Sequence, residues 1–292
     1  MIIRRIQVEL VTLKELLPRA KKEHYAVGAF NFNGYEDAVG IQLGAEQVAA
    51  PVILMASQGA CQYIGLYETV GIVMGIAKHS KVPVCLHLDH ATDYDFIKEA
   101  IKAGFSSVMV DASAKEYEIN IRESKAVADF ARNYNCSVEA ELGKVGGKED
   151  NIVVEDRTAA FTVPSDVPRY VEATGIDALA IAFGSVHGFY QSEPKLDFDR
   201  LDAILKLTDC PIVLHGGTGI PIADIQRCIR MGLAKVNVGT ELKAAFSNTL
   251  RKMCAELPAG EFDPRKFLKP VKGAVAAIVK EKLEAFGAAG KA

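Results

Sequence analysis

The segment VPVCLHLDHATD, residues 82–93, places two adjacent reactive side chains, Asp89 and His90, at the end of an apolar run. Two further histidines, His187 and His215, follow other apolar runs much later in the chain. Three imidazoles that leave a fourth position open can bind a catalytic zinc ion, which acts as a Lewis acid or activates water. Any one of these histidines is explained equally well as a hydrogen-bonded residue near a strand end. Taken together, the three predict a metal site.

Two glycine-containing segments indicate a site for an anion. HGGTGIP, residues 215–221, and NVGTE, residues 237–241, each lead from an apolar run towards a helix-period segment. Exposed backbone N–H groups in such turns and at helix N-termini bind phosphate. Either segment alone is explained as well by the tight bend that glycine permits, and only the pair favours a phosphate site.

The segment GKVGGKEDNIVVED, residues 143–156, combines paired glycines with several acidic residues. Two interpretations stay open for it. It is either a loop that closes over a site and delivers a carboxylate after substrate binds, or a solvated surface loop.

Eight apolar runs, separated by helix-period segments, must position these groups. The runs are residues 26–33, 51–57, 82–90, 106–113, 137–143, 178–188, 211–219 and 234–241. Between them lie amphipathic segments such as YDFIKEAIKAGF and IADIQRCIRMGL, each closed by a glycine that suits a helix C-cap. Eight strands alternating with helices over roughly 250 residues are typical of a TIM barrel. A doubly wound open sheet would have fewer strands and a GxGxxG turn after the first one. We therefore predict an α/β protein with a TIM (β/α)8 barrel in a single domain, residues 1–292, and a C-terminal helical extension, PVKGAVAAIVKEKLEAF.

In such a barrel the functional groups lie at the carboxyl ends of the strands, because side chains fill the interior. Nearly every apolar run of this chain ends in polar or reactive residues. They are Asn31, Asn33, Ser57, Asp89, His90, Asp111, Ser113, Glu139, Glu141, His187, His215, Asn237 and Thr240. We therefore predict one site to which all eight strands contribute.

The composition argues against several other classes of protein. The formal net charge of −3 comes without a long basic block, which argues against a nucleic-acid partner. No apolar run approaches the ~20 residues that span a bilayer, and the N-terminal apolar residues alternate with charged ones, unlike a signal peptide. The six cysteines are dispersed and contain no CxxC pair, which indicates reduced thiols. We expect a cytoplasmic protein with a small-molecule substrate.

The motifs LHLDH, DAS, SVEAELGKVGG, GSVHG, LHGGTGIP and KVNVGTE, in this order, resemble those of the class II, zinc-dependent ketose-bisphosphate aldolases, the fructose- and tagatose-bisphosphate aldolase family. The resemblance extends from YAVGAFNFNG to the terminal helix. It implies a lyase that reversibly cleaves fructose 1,6-bisphosphate or tagatose 1,6-bisphosphate to dihydroxyacetone phosphate and glyceraldehyde 3-phosphate. It also implies a homodimer or homotetramer.

The resemblance further implies roles for individual residues at the metal. His90, His187 and His215 would bind Zn²⁺, and Glu141 would be the carboxylate that can approach it. Asp89 would act as acid and base at the C4 hydroxyl of the substrate.

Other residues are implied to handle the substrate. Glu149 would move the C3 proton, and Asn237 would contact the enediolate. The implied substrate-binding residues are Asn31, Ser57, Gly188, Gly216, Gly217, Thr218, Asn237, Thr240 and Arg265. Several of these would hold the phosphate of dihydroxyacetone phosphate, helped by a monovalent cation, Na⁺ or K⁺, on nearby carbonyls. Arg265 is either a ligand of the distal phosphate, reaching a neighbouring subunit, or a surface residue.

Two departures from the family pattern bear on the substrate. HGFYQSEPK has Gln191 and Ser192 where a lysine is expected, and DASAKEYE has Ala114 where a histidine is expected. HGGTGIP is more similar to the fructose-bisphosphate branch. The alternatives that stay open are an aldolase of another phosphorylated ketose or sugar acid, a zinc-dependent hydrolase, and a non-catalytic barrel that senses sugar phosphates.

Overall fold

The computed structural model describes residues 10–149, 152–154, 161–190 and 194–292, and within them a closed barrel of eight parallel strands surrounds the core. Its strands are β1 (Val27–Asn31), β2 (Val52–Ser57), β3 (Val84–Ala91), β4 (Ser107–Val110), β5 (Ser137–Leu142), β8 (Ala178–Ile181), β10 (Ile212–Leu214) and β11 (Leu233–Val238). They follow one another around the barrel in chain order, and β11 pairs with β1 to close it. The predicted TIM barrel is confirmed.

Helices cover the outside of this barrel. In the described chain they are α1 (Leu13–Glu23), α2 (Tyr35–Gln47), α3 (Gln58–Ile64), α4 (Leu66–Ala77), α5 (Tyr94–Ala103), α6 (Tyr117–Ala131), α7 (Val167–Thr174), α8 (Phe198–Leu205), α9 (Ile222–Met231), α10 (Thr240–Glu256) and α11 (Pro264–Ala285). Helix α5 shows why the sequence determines these bounds. The Asp93 carboxylate caps its first turn, and Gly104, at φ +117°, ends it in the left-handed conformation that glycine adopts readily.

Every residue of the barrel strands is buried, because helices cover one face and side chains fill the other. This burial explains why the strands appear in the sequence as nearly continuous apolar runs. The exceptions are polar residues inside the barrel, among them His87, Glu139 and Lys235, all of which are fully buried.

The sixth predicted run, residues 178–188, is not one strand. It divides into β8 and a short strand β9 (Val186–His187), which leaves the barrel. The chain turns between them at Gly184, with φ +114°, where an added Cβ would lie 2.2 Å from a backbone carbonyl oxygen. His187 therefore lies on a separate element that is not part of the barrel sheet.

Strand β9 belongs to a three-stranded sheet with β6 (Gly146–Glu149) and β7 (Ile152–Val154). Strand β6 pairs antiparallel with β7 and parallel with β9, with Gly147 opposite His187. A Cβ on Gly147 would lie 2.2 Å from the His187 carbonyl oxygen, so only glycine fits this approach. Part of the segment 143–156 is thus a hydrogen-bonded extension that reaches the third histidine.

The predicted C-terminal helix is confirmed as α11, although it begins at Pro264, six residues before the predicted segment. It packs on α2 closely enough that a Cβ on Gly44 would lie 2.6 Å from the Ala276 carbonyl oxygen. Among the described residues no single helix is long and apolar enough to cross a bilayer; α3 and α4 reach that length and composition only as a pair bent by 92°.

Candidate active site and metal centre

The carboxyl ends of the strands enclose one cavity. Asn31 of β1, Asp89 and His90 of β3, and Asn237 of β11 line it together with His187 of β9. The remaining lining residues are Gly188, Gly216, Thr218, Gly239 and Thr240, and the ring of His215 contacts that of His90. Most of the residues that the sequence singled out therefore meet at one end of the barrel.

The three predicted histidines form a compact cluster. The ring centroid of His90 is 4.8 Å from that of His187 and 4.6 Å from that of His215, and one ring nitrogen from each histidine lies within 4.8 Å of the others. The backbone of His90 has φ +46°, and the pairing of β3 with β4 shifts register between Leu88 and Ala91. A bulge of this kind redirects a side chain at a functional site.

Two of the imidazoles are oriented by carboxylates behind them. His90 Nδ1 is 2.8 Å from the Asp111 carboxylate, and His215 Nε2 is 2.8 Å from the Glu139 carboxylate. Each contact leaves the other ring nitrogen facing the cluster, with His90 Nε2 and His215 Nδ1 only 2.8 Å apart. Carboxylates in this position fix the tautomer and orientation of metal-binding histidines.

The carboxylate behind His215 has a buried cation of its own. Lys235 Nζ is 2.8 Å from Glu139 Oε2, and neither side chain has any exposed surface. A charged pair with no contact to water is tolerated only with good geometry and further hydrogen bonds, and Glu139 accepts such a bond from His215. A continuous series of polar contacts thus leads from Lys235 through Glu139 to His215 in the imidazole cluster.

The surroundings favour the charged form of one imidazole in the cluster and the neutral form of the other two. Burial would lower the pKa of His90, but Asp89 and Asp111 raise it well above its usual value. Removal from water, followed by the charge of His90, lowers the pKa of His187 and of His215 well below the usual range. Neutral imidazole is the form that binds a metal, so His187 and His215 are already favoured as ligands, whereas His90 must release a proton when a metal binds.

A second group of potential ligands consists of His90, Asp111 and Glu141. Burial, and then the charge of Asp111, raises the pKa of Glu141 to about 8. Its Oε1 accepts a hydrogen bond from Val145 N at 3.1 Å. A carboxyl group in this setting gains strongly from a nearby cation.

The donor atoms fit a zinc ion. Three imidazole nitrogens converge, and among the described residues three buried oxygens around them lack a hydrogen-bond partner, namely Asp89 Oδ1, Glu141 Oε2 and Asn237 Oδ1. Buried polar atoms without partners are costly unless a ligand or ion satisfies them. Nitrogen-rich donor sets with an adjacent carboxylate are typical of zinc.

Asp89 lies beside the cluster and is held as a carboxylate. Its Oδ2 accepts a hydrogen bond of 2.8 Å from Asn31 Nδ2. Burial would raise the pKa of Asp89, but the positive charge of His90 and of neighbouring groups outweighs it and lowers the pKa. Asp89 is therefore ionised at neutral pH and can accept a proton.

The two predicted phosphate-binding turns adjoin each other. Gly216 has φ +67°, and Gly217 N donates to the Asn237 carbonyl oxygen at 2.9 Å. Helix α10 begins at Thr240, and Gly239 and Thr240 line the cavity together with Thr218. The N-terminus of a helix attracts anions.

Some predicted residues lie elsewhere. Ser57 is buried at the end of β2, where its Oγ accepts from Ala60 N and caps α3. Arg265 is outside the cavity lining, with an 86% exposed side chain paired to Asp263 in the first turn of α11. The side chain of Glu149 and the residues Gln191 and Ser192 lie outside the described residues.

The sequence pattern gives no individual role to Glu139 or Lys235. Glu139 is only one of many polar residues at strand ends, and Lys235 lies within an apolar run. The signal was available, because a lysine in the middle of a fully buried strand needs an anionic partner. Which carboxylate provides it depends on the barrel register and is not a property of the sequence pattern.

The barrel and the imidazole cluster at its carboxyl-terminal face define a TIM-barrel protein with a candidate transition-metal centre. The family model "Fructose-bisphosphate aldolase class-II" matches residues 11–291. The chain therefore belongs to the class-II fructose-bisphosphate aldolase family, a family that depends on zinc in general.

Individual relatives agree with this assignment. A fructose-bisphosphate aldolase of Geobacillus stearothermophilus is 45% identical over 288 residues, which cover 98% of this chain and 99% of the relative. One from Staphylococcus aureus is 44% identical over 286 residues, covering 97% and 99%. The crystal structure of the YdjI aldolase from Escherichia coli K12 matches with a TM-score of 0.85 at 31% identity, covering 97% of this chain and 99% of that one.

Proposed function

We propose that this chain is a zinc-dependent aldolase that reversibly cleaves fructose 1,6-bisphosphate to dihydroxyacetone phosphate and glyceraldehyde 3-phosphate. The observation that carries the proposal is the position of the Asp89 carboxylate in the same cavity as His90 and His187, next to three converging imidazoles. Aldol cleavage requires a base that removes a proton and a cation that stabilises the resulting negative charge. The base and the ligands for the cation occur in one cavity.

His90, His187 and His215 would hold the zinc ion, which supplies Lewis-acid stabilisation of negative charge on the substrate oxygens. Asp89 takes the proton of the C4 hydroxyl. As the C4–O–H electrons form the aldehyde carbonyl, the C3–C4 bond breaks and its electron pair passes to the dihydroxyacetone phosphate fragment. Asn31 holds the Asp89 carboxylate in place for this transfer.

The remaining parts of the proposal concern the intermediate and the phosphate group. Asn237 Oδ1, buried without a partner, suits contact with a hydroxyl of the enediolate. Return of a proton to C3 is the role that the family resemblance implies for Glu149. The turns at Gly216 and Thr218 and the first turn of α10 would bind the phosphate of dihydroxyacetone phosphate. A monovalent cation on nearby carbonyls belongs to the same proposal.

A homodimer or homotetramer in the cytoplasm is also proposed. The six cysteines are all free thiols, which suits a reducing compartment. Arg265, exposed on its own protomer, would bind the distal phosphate only if it reached the site of a second copy.

The test is release of dihydroxyacetone phosphate from fructose 1,6-bisphosphate and tagatose 1,6-bisphosphate, measured side by side with and without a chelator. Fast release from the fructose substrate, lost on chelation and restored by zinc, is expected. Turnover that resists the chelator would refute the metal role. Preference for tagatose 1,6-bisphosphate would refute fructose 1,6-bisphosphate as the substrate. If zinc-loaded protein released dihydroxyacetone phosphate from neither compound, the substrate would be another phosphorylated ketose or sugar acid.

A further inference from the structure

A nearly buried lysine connects the C-terminal helix to the phosphate turns. Lys282, in the last turn of α11, is only 7% exposed, although lysine is seldom buried without a partner. Its Nζ lies 3.0 Å from Glu241 Oε2. Glu281 is the more distant alternative, at 4.0 Å and largely exposed to solvent. The ion pair with Glu241 is therefore the principal interaction of Lys282.

Glu241 lies next to the residues of the proposed phosphate site. It is the second residue of α10, directly after Thr240, and its backbone N donates to Thr218 Oγ1 at 3.4 Å. Its carboxylate occupies the first turn of the helix, where the partial positive charge of the N-terminus attracts anions. Left uncompensated, this carboxylate would repel the phosphate group of a substrate bound at the same turn.

We propose that Lys282 neutralises Glu241 and thereby maintains the phosphate affinity of the active site. Lys282 acts through Glu241 and does not touch the substrate. It is a positioning residue, because it holds the Glu241 carboxylate and offsets its negative charge. The inference rests on the proposed phosphate site. It assigns to the C-terminal helix a part in substrate binding, beyond its packing against α2 and α10.

The experiment compares Lys282→Met, Glu241→Gln and the double variant, in zinc-loaded protein. The probes are dihydroxyacetone phosphate, by calorimetry, and inorganic phosphate, as an inhibitor of cleavage. Lys282→Met should weaken the binding of both probes about tenfold. This is the order of magnitude expected for one uncompensated charge several ångströms from an anion in partly solvated surroundings. Glu241→Gln should tighten both, because Lys282 then acts as an unpaired cation.

The double variant should bind the probes within about twofold of the original protein, because both charges of the pair are gone. The matched control is Lys280→Met, which removes an exposed lysine of the same helix that lies 3.9 Å from Glu284. This control should leave the binding of both probes unchanged. Higher salt should reduce the difference between Lys282→Met and the original protein.

A purely structural tether predicts a different pattern. In that case each single variant and the double variant would bind the probes more weakly than the original protein. Weaker binding by Glu241→Gln would overturn the inference. If Lys282→Met does not fold, tightening by Glu241→Gln alone still supports the inference, and unchanged or weaker binding refutes it. If the unaltered protein releases no dihydroxyacetone phosphate and binds neither probe, the proposed function itself has failed.

Discussion

Lys235→Met should destabilise both the fold and the metal centre. Lys235 and Glu139 are fully buried with a contact of 2.8 Å, so the substitution leaves a carboxylate in the barrel without its cation. Removing one member of a fully buried ion pair costs ~3–5 kcal/mol of unfolding free energy. The same carboxylate orients His215, so losing its cation should also lower zinc affinity, by at most the roughly 10–100-fold that loss of the carboxylate itself would cause.

Two assays separate these effects. Urea unfolding of zinc-free protein measures the stability term, and competition with a chromophoric chelator measures zinc affinity in protein that is still folded. The double variant Lys235→Met, Glu139→Gln should recover most of the stability, because it removes the unpaired charge, while an amide still accepts the bond from His215. Lys206→Met, an exposed lysine paired with Asp202, is the control and should stay within about 1 kcal/mol.

The reasoning fails if Lys235→Met unfolds at the same urea concentration as the original protein and binds zinc as tightly. Loss of stability with unchanged zinc affinity would restrict the pair to a structural role. Weaker zinc binding that the double variant does not improve would mean that Lys235 acts on His215 by a route other than Glu139.

Three further predictions concern the site. Asp89→Asn should retain zinc, measured by metal analysis, and lose ~10²–10⁴-fold in cleavage rate; near-normal turnover would contradict its role as base. His215→Ala should lose bound zinc on dialysis, whereas retention of one equivalent would exclude it as a ligand. Burial alone would raise the pKa of Asp111, but bonds from His90 and Ser113 lower it, so its stabilising effect should exist above the usual carboxyl pKa of about 4 and fade as pH falls through the lowered value. Below pH 5, the unfolding free energy of zinc-free Asp111→Asn, measured in urea, should therefore fall less steeply with decreasing pH than that of the original protein. Equal slopes for the two proteins would argue against a stabilising interaction between Asp111 and His90.

The barrel itself could be predicted because its evidence is local. Buried parallel strands produce apolar runs, and glycines such as Gly104 mark helix ends, so strand number and rhythm are visible in the sequence. The meeting of His90 with His215 followed from barrel geometry, since both stand at the carboxyl ends of strands.

Other features depend on contacts that no local pattern contains. The run 178–188 is interrupted before His187 only by Gly184 and Ser185, and the turn observed at Gly184 shows that the barrel strand stops before His187. The pairing of Lys235 with Glu139 likewise joins two strands about a hundred residues apart in the sequence and requires the register of the closed barrel. Long-range register, and not propensity, determines these parts of the site.

The small sheet formed by β6, β7 and β9 links metal binding to local folding. Two histidines of the cluster stand on or next to barrel strands, but the third is supplied by β9, which is hydrogen-bonded to β6 and lies against Gly147. A metal ion that binds all three must favour the paired form of this sheet, and by thermodynamic linkage the paired sheet must raise metal affinity by the same factor. The amide protons of β6 and β9 should thus act as reporters of metal occupancy, and Gly147 as the point where the two processes are coupled.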